Sequence, residues 1–413
     1  MKFLLSFIFL FVVLFAPAQI PSILNPARAG FSSERLLRFD AYMEQKIESE
    51  ELVGAVCLIT RNGYLAHQKT YGFRNLETKA PMQNDQIFYI QSMTKPIISV
   101  GIMMLYEEGY FELNDPVSKY LPEFQNMKVA NFNEQNQVAY TPAAEPIRIW
   151  HLLSHTAGLS HGLGNSTLDV MYRDSLYGVN FSGKVPHKTI RDRALVLAKL
   201  PLVATPGQKW YYSAAPDVLS LLIEQFSGMT TADFLKQRIF EPLEMNDTGY
   251  NLTEEQAARV ANLHLLKDQK QTKAPFQTPT NGNTIFGGTH GLFSTATDYL
   301  KFCTMLLQDG KYKDQQLLSP KTIELMTSNH VGDKYEKGVG FGLGFGVRTD
   351  LADSKMLGTA GQFHWTGAYN TYFFIDPKEN LVAILMMQFA PYSDNYNRAF
   401  RQFVYQAVAN VNH

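Results

Sequence analysis

Strand-like segments lie at the two ends of this chain, and a long helix-rich stretch divides them. Residues 52–60 and 64–73 are strand-like runs on either side of Arg61-Asn62-Gly63, which reads as a hairpin turn. Strand patterns return only after Gly287, at 341–348, 371–376 and 381–388. A helix at 33–50, with Leu36, Leu37, Phe39, Met43 and Ile47 on one stripe, opens this part, and a helix at 395–409 closes it. Between them, from about 115 to 286, helical patterns at 147–154, 216–227 and 231–240 alternate with polar loops. The Asn-, Gln- and Pro-rich stretch 124–145 reads as a surface excursion. Glycines 340, 342, 344 and 346 alternate with apolar residues, as in one strand with a bare face. The pattern reads as a helical block inserted between two α/β segments.

Charge narrows the function. With 37 Lys and Arg against 38 Asp and Glu, there is no basic excess to hold a phosphate backbone, so nucleic acid is not an expected partner. Residues 1–19 read as an export signal. Lys2 begins it, 3–16 is the apolar core, and Ala16-Pro17-Ala18 offers a cleavage site before Gln19. The expected location is periplasmic or secreted, with no membrane span after cleavage; an uncleaved anchor is the competing reading. Two cysteines, Cys57 and Cys303, are too few for a disulfide scaffold and read as buried thiols.

The chemistry concentrates at Ser92-Met93-Thr94-Lys95. An extended segment precedes it, an apolar helical pattern follows, and Pro96 falls in the first turn, where a missing N–H costs little. Lys95 then shares a helix face with Ser92. A serine needs a proton acceptor to become a nucleophile, and a half-buried lysine can be one. The plain alternative is a capping serine beside a solvated lysine. Two other patterns compete. Gly158-Leu159-Ser160-His161-Gly162 fits the nucleophile elbow of another hydrolase fold, but lacks the strand before the serine and the helix after it. His151 and His155 have zinc-like i, i+4 spacing, but no Glu follows His151, so no metal is expected.

Taken in order, further segments carry a resemblance. They are Asp115-Pro116-Val117 with Tyr120-Leu121-Pro122, and His151-Leu152-Leu153-Ser154-His155-Thr156-Ala157-Gly158-Leu159. Pro206-Gly207 with Tyr212-Ser213, Pro242-Leu243-Glu244-Met245, Gly287-Gly288 with Gly291-Leu292-Phe293-Ser294-Thr295, and Trp365-Thr366-Gly367 follow. With the Ser-x-x-Lys motif, this set resembles the serine β-lactamase and penicillin-binding superfamily. It is nearest the branch of class C β-lactamases, D-alanyl peptidases and β-lactamase-like esterases.

The resemblance implies an α+β fold: an antiparallel sheet flanked by helices with a large all-α part inserted after the first strands. The α/β part would hold residues 19–90 and 287–413, the helical part 91–286, and the site the cleft between them. It also implies acyl transfer to Ser92 followed by hydrolysis, with Lys95 and Tyr212 handling protons and no cofactor. Tyr212 matches the tyrosine of the family's Tyr-x-Asn motif, and a phenolate beside an ammonium is a credible base. Ala214 stands where that motif often has Asn. The backbone N–H groups of Ser92 and Ala368 would form the oxyanion hole. Trp365, Thr366, Gly367 and neighbouring His364 would meet the substrate. Trp365 replaces a lysine that pairs with the carboxylate of lactams and D-alanyl peptides, which points to neutral acyl esters. A D-alanyl peptidase, a weak β-lactamase, and a catalytically silent peptidoglycan-fragment or penicillin-binding protein remain the alternatives. The expected substrate is a small ester or peptide.

Overall fold

The first hairpin forms as its sequence directs: β1 (Gly54–Arg61) and β2 (Tyr64–Gly72) pair antiparallel around Asn62-Gly63. The computed structural model describes residues 24–135, 137–179 and 182–410, so the expected export signal lies outside the described residues. Helix α1 (Ser33–Glu48) precedes the hairpin, with Ser32 as its N-cap. A short strand, β3 (Ile87–Tyr89), then leads through a 3-10 turn, Gln91–Met93, into helix α2 (Thr94–Glu107). From α2, twelve of fourteen residues are buried, so this helix is apolar all round and runs through the core.

Helix α3 (Ala215–Ser227) packs beside α2 in the helical stretch. After it, β4 (Phe293–Thr295) pairs antiparallel with β3 and feeds helix α4 (Ala296–Leu307). The chain then completes the sheet with β5 (Val339–Phe341), β6 (Gly346–Arg348), β7 (Phe363–Thr366), β8 (Tyr372–Asp376) and β9 (Leu381–Met386). Helix α5 (Asp394–Ala407) follows. The strand order is β5-β6-β7-β8-β9-β1-β2, and every neighbouring pair is antiparallel. Period-2 alternation divides the strands between two cores. Cys57, Phe374 and Leu385 face α1 and α5, with Phe39 and Phe400. Val56, Phe373, Ile384 and Trp365 face the other way and merge with the core around α2, α3 and α4. Cys57 and Cys303 are free and buried. No helix among the described residues is long and apolar enough to cross a membrane.

Two expectations need correction. Residues 341–348 are not one strand. β5 and β6 form a hairpin, because Gly344 takes a left-handed φ of 106° and reverses the chain against Ser99, where a Cβ would come within 2.3 Å of Oγ. The excursion at 124–145 contains a hairpin, Lys128–Phe132 with Val138–Pro142: its second strand is exposed, while Val129 and Ala130 of the first are buried, with Val129 against Leu202.

Candidate active site

The β3–β4 ladder fixes the nucleophile. Ile90 N–H donates to the Leu292 carbonyl at 3.0 Å, Met93 N–H to the Ile90 carbonyl at 3.0 Å, and Tyr299 O–H to the Met93 carbonyl at 2.9 Å. Between them Gln91 takes φ 48°, a left-handed backbone that costs a non-glycine residue about 1 kcal/mol. Ser92 therefore sits one step outside α2, on a tight turn held by its neighbours.

Lys95, 1% exposed, places Nζ 3.0 Å from Ser92 Oγ and donates to the Thr289 carbonyl at 2.7 Å. Burial pushes the Lys95 ammonium well below the ordinary lysine range; Asp217 opposes this and Arg193 adds to it. Tyr212 O–H donates to Ser92 Oγ at 2.7 Å, and Lys95 Nζ lies 4.6 Å from the centre of its ring. Burial raises the Tyr212 hydroxyl, and the Ser92 bond offsets only part of that. Burial therefore disfavours the expected phenolate. In a buried site, a neutral amine and a protonated phenol avoid the desolvation that an ammonium and a phenolate would both suffer. A neutral Lys95 at this distance could take the Ser92 proton, and a protonated Tyr212 could give one up.

Behind Lys95 stand residues the sequence did not single out. Asp217 Oδ1 accepts the Thr289 N–H at 2.9 Å, and its Oδ2 lies 2.8 Å from Arg193 Nε. Thr289 lies between the Gly-Gly pair and Gly291; nothing in the pattern pointed to its carbonyl.

Gly367 brings the β7 end against the nucleophile turn. A Cβ there would stand 2.4 Å from the Ile90 carbonyl oxygen. Gly367 N–H donates to Thr371 O at 2.8 Å, and exposed Ala368 follows it beside the turn that holds Ser92. Trp365 packs at 5.8 Å from the Tyr212 ring and edge-on to Phe341 at 5.2 Å. Thr366 is half-buried at the strand end, with the Tyr392 hydroxyl as a hydrogen-bond partner. His364 does not join them. It pairs in register with Phe374, on the face toward α5, and its ring lies 6.2 Å from that of Tyr372. Alternation along β7 turns it away from the Trp365 side, so its expected substrate contact is corrected.

The competing motifs have structural roles. Ser160 is fully buried; its Oγ donates to Asp169 Oδ1 at 2.6 Å and accepts from Gly162 N–H. His151 Nδ1 accepts the Arg148 N–H at 3.0 Å, His155 Nδ1 meets Ser213 Oγ at 2.9 Å, and no group of metal-ligating residues occurs among the described residues. His161 stacks on Tyr212 at 5.2 Å, and burial keeps it neutral. Ala214 is buried and puts a methyl where an amide was expected.

The model of the family described as Beta-lactamase matches residues 39–406. The chain belongs to the β-lactamase family. Within this family it is a serine hydrolase. Its similarity to protein Rv1367c of Mycobacterium tuberculosis is 32% identity, covering 82% of this chain and 86% of that one. Esterase EstB of Burkholderia gladioli is 26% identical, over 84% of this chain and 89% of its own. The solved structure of EstCE1, "a hydrolase with promiscuous acyltransferase activity", superposes with a TM-score of 0.77 at 25% identity, over 91% of this chain and 99% of that one.

The family's hydroxyl assignment has a direct test. A fluorophosphonate probe should label Ser92 in the intact protein, read by peptide mass mapping, and leave Ser160 untouched. Labelling at Ser160 would sink it.

Proposed function

We propose that the protein is an exported esterase that cleaves neutral acyl esters through an acyl-Ser92 intermediate. Trp365 carries this reading: its apolar ring packs against Tyr212, whose hydroxyl touches Ser92 Oγ, at the position where lactamases and D-alanyl peptidases have a cation. Two relatives are named esterases, EstB and the lovastatin esterase of Penicillium rubens, while others are named acyltransferases.

In the proposed cycle, Ser92 Oγ attacks the ester carbonyl while its proton passes to neutral Lys95. The Ser92 and Ala368 N–H groups face the developing oxyanion, a contribution of roughly 10²–10³-fold. As the C–O bond breaks, Tyr212 delivers its proton to the leaving alkoxide, and the ammonium that Lys95 has become returns a proton to the Tyr212 oxygen beside it. Water repeats the sequence in reverse on the acyl-enzyme. The aromatic wall of Trp210, Tyr212, Phe341 and Trp365 suits an uncharged acyl or alcohol group.

The test is a turnover panel of short p-nitrophenyl esters, a chromogenic cephalosporin and D-Ala-D-Ala peptides. Ester turnover should lead by on the order of 10²-fold or more in kcat/KM. Comparable turnover of the cephalosporin, or of the peptides, would replace the esterase reading with its lactamase or peptidase rival. Acylation of Ser92 without turnover on any substrate would favour a silent binding protein.

A further inference from the structure

We propose that the sheet face turned away from Ser92 carries a binding site for an anionic amphiphile, an alkyl chain ending in a phosphate or carboxylate, between α5 and the segment joining β6 to β7. Two guanidiniums are buried there with no ion-pair partner among the described residues. Arg348 on β6 is 1% exposed and Arg401 on α5 is 5% exposed. Arg348 donates to Gln362 Oε1 and Ser354 Oγ, and its Nη2 is buried with no partner. Arg401 donates twice to the Tyr372 hydroxyl oxygen, at 3.1 and 2.7 Å. Its Nη1 meets only the Met356 thioether, Sδ at 3.1 Å, a weak acceptor.

Other buried arginines of the chain are handled differently. Arg61 pairs with Glu379 at 2.6 Å and Arg193 with Asp217 at 2.8 Å. Arg348 and Arg401 have no ion-pair partner among the described residues. Asp376 acts on Arg348 and Asp394 on Arg401 from a distance, but the Asp376 oxygens already accept Tyr405 O–H at 2.6 Å and Glu379 N–H at 3.2 Å, and Asp394 is paired with Arg398. His364 stands beside the pair with a buried, unpartnered Nδ1, held neutral by burial and by both arginines. An uncompensated buried cation is costly, and an anion reaching it gains a charge-assisted contact in a dry setting.

An anion has a route in. A cavity of about 690 Å³ opens on Arg401 and Met356. Lys355 and Arg398 stand at its rim, the latter held by Asp394 at 2.5 Å. Leu351 and Leu357, 41% and 52% exposed, supply an apolar wall that a head group alone would not use. That volume is in the ordinary range of small-molecule sites. The head group would displace Met356 Sδ from Arg401 Nη1, and the alkyl chain would cover the two leucines.

Octyl phosphate is the probe, with 1-octanol as its uncharged counterpart, and the full chain's melting temperature is the readout. At about 100 times Kd the expected rise is about 4 °C, with none from octanol. Met356→Glu supplies a carboxylate from within: it should melt above wild type, lose the response to octyl phosphate, and keep its turnover of p-nitrophenyl butyrate. Sedimentation with phosphatidylglycerol vesicles, abolished by Met356→Glu, would make the source a lipid headgroup. Octyl phosphate binding without sedimentation would make it a free amphiphile. An equal rise with octanol, an undiminished response in Met356→Glu, or a variant that melts below wild type would each overturn the proposal.

Discussion

Lys95→Ala and Tyr212→Phe should each lower kcat/KM for p-nitrophenyl butyrate by roughly 10²–10⁴-fold, and the double variant should fall little further. Both groups touch the same oxygen, Ser92 Oγ, at 3.0 and 2.7 Å, so each depends on the other to move one proton. Clean additivity of the two losses would show separate roles. The pH dependence follows from the same geometry. Lys95 works as a free amine, so the rate should climb with pH as Lys95 loses its proton and then level off. Because burial lowers its pKa, the plateau is reached well below the ordinary lysine range. Stability runs with it: the unfolded chain binds a proton on Lys95 that the folded chain has released. Unfolding free energy therefore rises with pH from the folded pKa of Lys95 up to the unfolded one. At neutral pH the buried amine costs stability, so Lys95→Met should melt higher than wild type while being inactive. A lower melting temperature in that variant would contradict the neutral lysine.

Trp365→Lys should shift preference from esters toward a chromogenic cephalosporin, by on the order of 10²-fold in the ratio of kcat/KM values. A lactam brings a carboxylate to the β7 edge beside Ser92. Without a cation, its burial costs several kcal/mol unless water stays. The lysine would supply that cation where the indole now packs against Phe341 and Tyr212. Loss of the ring also opens a cavity worth about 3 kcal/mol, so overall activity should drop even as the preference turns. Trp365→Phe is the control: it keeps an apolar ring and should keep the ester preference. A wild-type protein that hydrolyses the cephalosporin as fast as the ester would defeat the charge argument. His364 could not then be blamed, since it faces Tyr372 on the far side of the sheet.

What the sequence reveals about this site depends on the range over which each signal acts. Ser92 and Lys95 are legible because three residues of helix bring them together by geometry alone. The first hairpin is legible because Asn62-Gly63 encodes its turn. Reading His364 as a neighbour of the substrate goes wrong by one residue, and in a strand one residue is a change of face. The alternating glycines at 340–346 read as a strand because periodicity says nothing of φ, and Gly344 turns on φ. The protonation of Lys95 and Tyr212 depends on burial by segments far away in the chain, among them the Thr289 carbonyl; no local pattern carries it.

Cys57 on β1 lies opposite Leu385 on β9, so the middle of the sheet closes a loop that spans most of the molecule. Closing it carries the entropy of a long loop, which favours forming the local helical contacts around α2 and α3 earlier. Lys95 and Tyr212 lie on that earlier-forming part, while the turn that carries Ser92 waits for Leu292 and Tyr299. Thr289 and Trp365 arrive with the later segments. A refolding chain would therefore gain helix signal before it gains turnover. Ser92 is in place and Lys95 fully buried only once the segments carrying Thr289, Leu292 and Tyr299 have packed.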